Sequence, residues 1–307
     1  MSDRTVIFQL LGVTLLWGGN YVASAYLLTE FSPILLAFSR LVITCLLLIG
    51  VGFMSKKIAK PTRQEWVLLF LIGITSSLMY QIFYFVGLEN TSAGNAALII
   101  ALSPIATAFL ARAVLKERMT GYKLIGALAA LVGVAIIVLN GGKVSGVSSG
   151  DFFILLAMLT LATSVLMIRK ATMTLKSRDV TIYSTIIGTL LMAPAVGVEQ
   201  LQGHLHFSGH PLPWLLLIVM ALFAQGMAGL WWNNGISKVG ASTSAMYMNI
   251  PPFVAILVAH VVLGDPIRLA QLAGGALIVA GVMVSIIKKK HRIEGKSCHG
   301  AESEAWH

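Results

Sequence analysis

Long apolar runs recur along the whole chain, and they restrict its fold more than any other feature. An α-helix needs about 20 largely apolar residues to cross a bilayer. Only 11% of the 307 residues are charged, whereas a soluble domain carries charge on about a quarter of its residues. The sequence therefore predicts an all-α integral membrane protein. The ten predicted transmembrane helices are residues 5–28, 33–54, 66–88, 95–114, 122–140, 151–169, 180–198, 214–236, 241–263 and 268–287.

Basic residues lie at alternate ends of these predicted helices. The chain termini and the loops after even-numbered helices carry most of the Lys and Arg residues, and the opposite ends carry only Lys143 and Arg268. Basic loops remain in the cytoplasm, so both termini are predicted to be cytoplasmic. The net charge of +10 then reflects membrane topology, and nucleic acid is not an expected partner. The basic segment 288–292 suits contact with anionic membrane lipids.

The second half of the chain repeats the first with an offset of 148 residues. Each half holds five predicted helices, and because five is odd the second half must enter the membrane from the opposite side. Inverted repeats of this kind are common in secondary transporters, which bind their substrate near the bilayer midplane. The aligned pairs include Trp66 and Trp214, Gly87 and Gly235, Pro104 and Pro252, Glu117 and Asp265, Gly126 and Gly274, and Gly133 and Gly281.

This repeat defines the predicted domain organisation. The first repeat covers residues 1–140, and the second repeat covers residues 151–287. Residues 141–150 are interpreted as an extracytoplasmic linker between the repeats. Residues 288–307 form a basic cytoplasmic tail, which we expect to be disordered.

Prolines interrupt two of the predicted helices at equivalent positions of the repeat. The segments IALSPIA (100–106) and MNIPPFV (248–254) place Pro104, Pro251 and Pro252 inside the fourth and ninth helices. A proline in a helix interior lacks an N–H and costs about 3 kcal/mol. We predict that both helices are kinked or locally open and serve in gating, with the freed carbonyls facing protein or a wet cavity. A kink that only shapes packing is the alternative.

Two long segments resemble a known family. The stretches GLENTSAGNAALIIALSPIATAFLARAVLKERMTGYKLIGALAALVGVAIIV (87–138) and GISKVGASTSAMYMNIPPFVAILVAHVVLGDPIRLAQLAGGALIVAGVMV (235–284) are similar to the two EamA repeats of the drug/metabolite transporter superfamily. The stretch LLAFSRLV (35–42) resembles the family's second helix, which often carries an arginine. This resemblance covers residues 5–287 and implies a ten-helix metabolite carrier with alternating access in a bacterial inner membrane. Export is the direction that it implies, while the metabolite stays open.

Arg40 is a charged residue inside the second predicted helix. An arginine in the membrane centre costs at least about 2.5–3.5 kcal/mol on insertion scales, so it is a functional candidate by default. Its planar guanidinium suits a substrate carboxylate. The alternative is a structural lock onto backbone carbonyls or a polar side chain, and the sequence leaves both interpretations open.

Polar and aromatic side chains recur at helical spacing in several predicted helices. A polar group in hydrocarbon needs a hydrogen-bond partner, so these faces should meet protein or a cavity. We predict that they line the substrate path, and hydrogen bonding between helices is the alternative. With Arg40, the candidate substrate-binding residues are Trp17, Asn20, Tyr21, Tyr80, Gln81, Tyr84, Ser164, Tyr247 and Asn249.

Three other motifs are interpreted as structural. Trp231 and Trp232 lie near the end of the eighth predicted helix, where interfacial aromatic belts occur. The glycines of the fifth and tenth helices suit close backbone packing, with a dimer contact as the alternative. The motif HLHFSGH (204–210) contains three histidines but no cysteine, so a solvated loop is favoured over a zinc site.

The expected mechanism follows from the position of the acidic residues. Proton- or sodium-coupled carriers tend to keep a carboxylate inside the membrane. The acids considered for coupling all fall at helix ends or in loops, and they are Glu30, Glu89, Glu117, Asp151 and Asp265. Uniport or exchange is therefore predicted, unless Glu30 or Glu89 reaches inward. An aromatic, amide-lined pocket with one arginine suits a small amphipathic solute such as an amino acid.

Other functions are less compatible with the sequence. A nucleotide-sugar carrier of the same superfamily is the alternative, but its phosphates would need several basic residues. The chain has no HExxH or GxSxG motif, so an enzyme is not expected, and no cofactor or metal is predicted. A scaffold that transports nothing is a remote alternative, and the sequence does not distinguish a monomer from a homodimer.

Overall fold

A computed structural model of the chain describes residues 3–54, 60–91, 93–117, 120–140, 148–264 and 267–299. Regular structure in these residues is entirely helical. The helices of the first half are α1 (Asp3–Glu30), α2 (Pro33–Met54), α3 (Arg63–Ile72), α4 (Tyr80–Glu89), α5 (Ala93–Ile100), α6 (Ser103–Leu115) and α7 (Gly121–Asn140). Those of the second half are α8 (Ser149–Ala171), α9 (Ser177–Leu201), α10 (Pro211–Met220), α11 (Ala228–Val239), α12 (Ala241–Met246), α13 (Pro251–Leu263) and α14 (Leu269–His299).

The helices account for most of the predicted membrane crossings. In the described part of the chain, nine helical stretches are long and apolar enough to cross a membrane. The apolar part of α14, Leu269–Ser285, is shorter. Helix α14 runs to His299, and the disorder of the tail 288–307 stays a prediction. Most of the predicted linker, residues 141–147, lies outside the described residues.

Two π-helical segments occupy equivalent positions of the repeat. Gly73–Met79 joins α3 to α4, and Ala221–Met227 joins α10 to α11. Their ends are offset by 148 residues, as in the sequence repeat. A π-helix bonds each N–H to the carbonyl five residues back, and such segments occur frequently at functional sites. Neither segment contains a proline, so the sequence pattern did not predict them.

The fourth and ninth predicted helices are each interrupted next to their prolines. A short turn separates α5 from α6, and a 3₁₀ turn at Tyr247–Asn249 separates α12 from α13. Pro104 lies in the first turn of α6, and Pro251 and Pro252 lie in the first turn of α13. A proline there removes an N–H that has no helical partner. The prolines therefore begin a second helix instead of distorting a continuous one.

Glycines bring α7 and α14 into close contact. A Cβ on Gly126 would lie 2.4 Å from the Gly281 carbonyl oxygen, and one on Gly133 would lie 2.5 Å from the Gly274 carbonyl oxygen. Any larger side chain would push the two helices apart. The predicted close packing of these glycines is confirmed, and it takes place within one chain.

The two ends of the bundle differ in charge. Arg112, Arg169, Lys170 and Lys238 lie in the last turns of α6, α8 and α11. We call this the basic end, and the positive-inside rule predicts that it is cytoplasmic. The other end, where α1 and α4 finish and α2 begins, is called the cavity end for the space described next.

Candidate functional site

A cavity of about 250 Å³ lies between α1, α2, α4 and the loop before α10. Most of its lining is apolar, and the loop contributes one imidazole. It lies beside helix termini at the cavity end. The lining residues are Leu28, Pro33, Phe85, Leu88 and His206.

Arg40 lies on α2, two helical turns beyond Pro33. Its side chain is buried, at 7% exposure. Nη1 of Arg40 donates to the Ser24 hydroxyl on α1 over 3.2 Å, and that hydroxyl bonds the Asn20 amide oxygen over 3.4 Å. Nε of Arg40 has no hydrogen-bond partner among the described residues. A charged group is thus held deep in the bundle by a short polar chain on α1.

Two tyrosines interact with Arg40, and a third interacts with both of them. Tyr80 and Tyr84 stack one turn apart on α4, with ring centroids 5.7 Å apart and an angle of 24° between the rings. The phenol groups of both interact electrostatically with Arg40, and Tyr21 on α1 interacts with both phenols. All three tyrosines are only half-buried. The structure therefore brings four of the predicted site residues together, from three helices, beside the cavity end.

Trp17 connects this cluster to the second half of the chain. Its Nε1 donates to the Ala224 carbonyl in the π-helical segment Ala221–Met227 over 3.0 Å, and its ring lies 5.1 Å from that of Trp232. Trp232 is buried, at 6% exposure. The interfacial-belt interpretation is therefore wrong for Trp232, because α11 turns this ring toward α1 and away from lipid.

The remaining predicted site residues lie elsewhere. Ser164 is buried and donates to the Leu161 carbonyl of its own helix over 2.8 Å. Tyr247 and Asn249 are buried at the turn between α12 and α13. Neither the amide nitrogen nor the amide oxygen of Asn249 has a partner among the described residues. Gln81 is half-buried beside Tyr80 on α4.

Glu199 is a buried residue that the sequence reasoning missed. Its carboxylate accepts from the Ser32 hydroxyl over 2.9 Å and from the backbone N–H groups of Ile34 and Leu35 over 3.0 Å each. These bonds cap the N-terminus of α2 and so fix the helix that carries Arg40. The predicted seventh helix ended at residue 198, one residue short of this carboxylate. The position of an acidic residue directly after this predicted helix is the sequence signal that could have identified Glu199.

The acids Glu30, Glu89 and Asp151 lie at helix ends. Asp151 accepts from the Thr91 hydroxyl, from the Asn95 amide and from the Ser148 N–H. Glu30 is half-buried at the end of α1. The side chain of Glu89 lies outside the described residues. The loop histidines His204, His206 and His210 are exposed.

The apolar helices in the described part of the chain are those of a multi-pass membrane protein. The model of the EamA-like transporter family matches residues 4–139 and again residues 148–287. The chain therefore belongs to this family. It is a transporter and not an enzyme.

Relatives in the family cover nearly the whole chain. A Bacillus subtilis protein named "Uncharacterized transporter YyaM" is 28% identical over 93% of this chain and 94% of its own length. A "Probable terminal-alkyne amino-acid exporter" from Streptantibioticus cattleyicolor is 28% identical over 92% of this chain and 94% of its own length. A solved crystal structure superimposes with a TM-score of 0.78 at 19% identity, over 94% of this chain and 99% of that one. This last likeness concerns the fold alone.

Proposed function

We infer that this transporter exports small amphipathic metabolites, such as amino acids, across a bacterial inner membrane. The observation that carries this proposal is the cluster of Arg40, Tyr21, Tyr80 and Tyr84 beside the cavity end. Aromatic rings bind apolar groups, while phenols and a guanidinium bind polar ones. The relative named as an amino-acid exporter favours the same solute class and direction.

Alternating access of two inverted five-helix repeats is the proposed mechanism. Two observations support related halves: the family model matches twice, and the π-helical segments are offset by the repeat distance of 148 residues. Interrupted helices near the midplane are typical of transporters with inverted repeats. In this proposal α14 completes a tenth crossing, and the interruptions at Pro104 and Pro252 allow the two halves to move past each other.

Uniport or exchange is proposed in place of proton coupling. Glu199 is buried, but its carboxylate is occupied by three hydrogen bonds from Ser32 and the start of α2. Asp151 is likewise occupied by helix-terminal donors. A transport rate that depends on a proton gradient and is abolished by Glu30→Gln or Glu89→Gln would overturn this part of the proposal.

Counterflow in proteoliposomes tests the function. Purified protein is reconstituted with an unlabelled solute inside, and uptake of labelled amino acids and small metabolites is measured against protein-free vesicles. Exchange of an amphipathic amino acid or related metabolite is the expected result. Exchange of nucleotide sugars alone would favour the alternative carrier, although Arg40 is the one basic residue near this cluster in the described part of the chain. Exchange of no solute at all would contradict a carrier function.

A further inference from the structure

The guanidinium of Arg40 is a buried charge with incomplete hydrogen bonding. It has five N–H donors, and the structure describes one bond, from Nη1 to the Ser24 hydroxyl. Its Nε is buried without a partner among the described residues. Leaving a buried charged donor unpaired is costly. The group therefore needs a partner that the described part of the chain does not provide.

The described acids do not neutralise this charge. The ion pairs found in the described residues join Arg169 to Glu117 and Arg178 to Asp179. The buried carboxylate of Glu199 is taken by Ser32 and the start of α2. Besides Ser24, the described groups that interact with Arg40 are the phenols of Tyr80 and Tyr84. A positive site surrounded by neutral groups attracts an anion.

The unpaired edge of the guanidinium has the chemistry to bind a planar anion. Because Ser24 accepts from Nη1, the edge formed by Nε and Nη2 has no partner among the described residues, and the N–H bonds on that edge are parallel. Two parallel donors match the two oxygens of a carboxylate in a bidentate pair. The Asn20 amide oxygen lies 3.4 Å from the Ser24 hydroxyl oxygen, so it takes the hydroxyl proton and leaves an oxygen lone pair for Nη1.

We propose that the Nε–Nη2 edge of Arg40 binds the carboxylate of the transported metabolite, with Ser24 and Asn20 as positioning residues. This inference rests on the proposed function and narrows it to solutes that carry a carboxylate. Tyr80 and Tyr84 then offer stacked rings to the rest of the solute. A phosphate-bearing solute is disfavoured, because one arginine offers too little positive charge.

Binding to purified protein in detergent tests this site without requiring transport. The probes are two matched pairs, L-phenylalanine with L-phenylalaninamide and L-leucine with L-leucinamide, and affinity is measured by calorimetry. Each amide keeps the side chain and the amino group but lacks the negative charge. The wild type should bind the acid of at least one pair about tenfold or more tightly than its amide, as expected for a charge-assisted bidentate pair.

Variants separate recognition from folding. In Arg40→Gln the acid and its amide should bind about equally tightly. Arg40→Lys should keep the preference for the acid but bind it less tightly, because lysine keeps the positive charge and lacks the two parallel N–H donors. Arg112→Gln, at an exposed arginine on α6, is the matched control and should leave the preference unchanged. If Arg40→Gln does not fold, Ser24→Ala carries the test and should reduce the preference severalfold.

Several results would overturn the proposal. A carboxylate site is contradicted if the wild type binds each acid and its amide with equal affinity. It is also contradicted if none of the four probes binds. Equal weakening of acid and amide by Arg40→Gln indicates a structural lock between α1 and α2. Counterflow of these solutes with no acid preference would leave the proposed transport function standing while the Arg40 assignment fails.

Discussion

The two ends of the helix bundle are closed to different degrees. At the cavity end, a space of about 250 Å³ opens between α1, α2 and α4, and Tyr21, Tyr80 and Tyr84 further along α1 and α4 are half-buried. At the basic end, every residue of α12 (Ala241–Met246) is buried. The same family repeat thus gives a loosely packed end and a tightly packed one. In a carrier with alternating access, the tightly packed end must be able to open.

Glu117 holds the basic end together. Its carboxylate accepts from the backbone N–H of Ala241 over 3.1 Å and of Ser242 over 3.3 Å, so the end of α6 caps the start of α12. Its Oε1 also lies 3.7 Å from Nε of Arg169, which donates to the Ser237 carbonyl. One acid therefore joins the first half of the chain to two helices of the second.

Between the basic end and the helix interruptions, buried polar groups lack partners in the described part of the chain. The hydroxyls of Thr107, Ser242 and Ser244 and the Asn249 amide are buried and unpaired among the described residues. Each such group costs about 1–3 kcal/mol. Water would satisfy them if this end opened, so they favour opening while Glu117 favours closure. The cavity end has a carboxylate cap at Glu199, where three donors are satisfied.

The largest expected effect is at the cavity end, in Glu199→Ala. Removing the carboxylate leaves the Ser32 hydroxyl and two N–H groups of α2 unpaired, so the free energy of unfolding should fall by about 2–4 kcal/mol. Thermal unfolding in detergent measures it. Glu30→Ala, at the same end, is the control and should change stability by less than about 1 kcal/mol. A normal unfolding temperature for Glu199→Ala would contradict the cap.

Asn249→Leu should raise the free energy of unfolding, whereas Glu199→Ala lowers it. Leucine removes a buried amide that has no described partner, so the closed conformation should gain about 1–3 kcal/mol while counterflow becomes slower. Asn233→Leu is the matched control, because the Asn233 amide donates to the Thr181 hydroxyl over 2.8 Å and its loss should destabilise the protein. Destabilisation of similar size in both variants would show that Asn249 has a partner in the closed state.

Glu117→Gln should loosen the basic end. If the loss of the Glu117 carboxylate destabilises the closed form by about 1 kcal/mol, the open form becomes about fivefold more populated. A cysteine at Ser242, in a Cys45→Ser and Cys298→Ser background, should then react about fivefold faster with a membrane-impermeant maleimide from the basic side. Glu65→Gln, which changes an exposed capping box with Thr62, is the control. An unchanged rate of maleimide labelling would show that Glu117 does not hold the basic end closed.

Trp17→Phe should have the smallest effect. It keeps a ring against Trp232 but removes the bond to the Ala224 carbonyl, so stability should fall by about 1 kcal/mol. Trp66→Phe is a suitable control, since Trp66 is 44% exposed. Equal unfolding temperatures for the two variants would mean that the π-helical carbonyl finds another donor.

The sequence by itself determined the membrane-spanning class, the asymmetry of charge, the 148-residue repeat and the prolines at which two helices are interrupted. These properties depend on single residues meeting bilayer or water, or on local backbone chemistry, and both are readable along the chain. Tertiary structure decided the rest: the burial of Trp232, the cap from Glu199 to α2, the π-helical segments, and the meeting of Arg40 with three tyrosines. Each depends on which faces of distant helices touch, because a hydrogen bond needs its donor and acceptor within about 3 Å. Helical spacing marks a polar face but does not state which neighbour that face will meet.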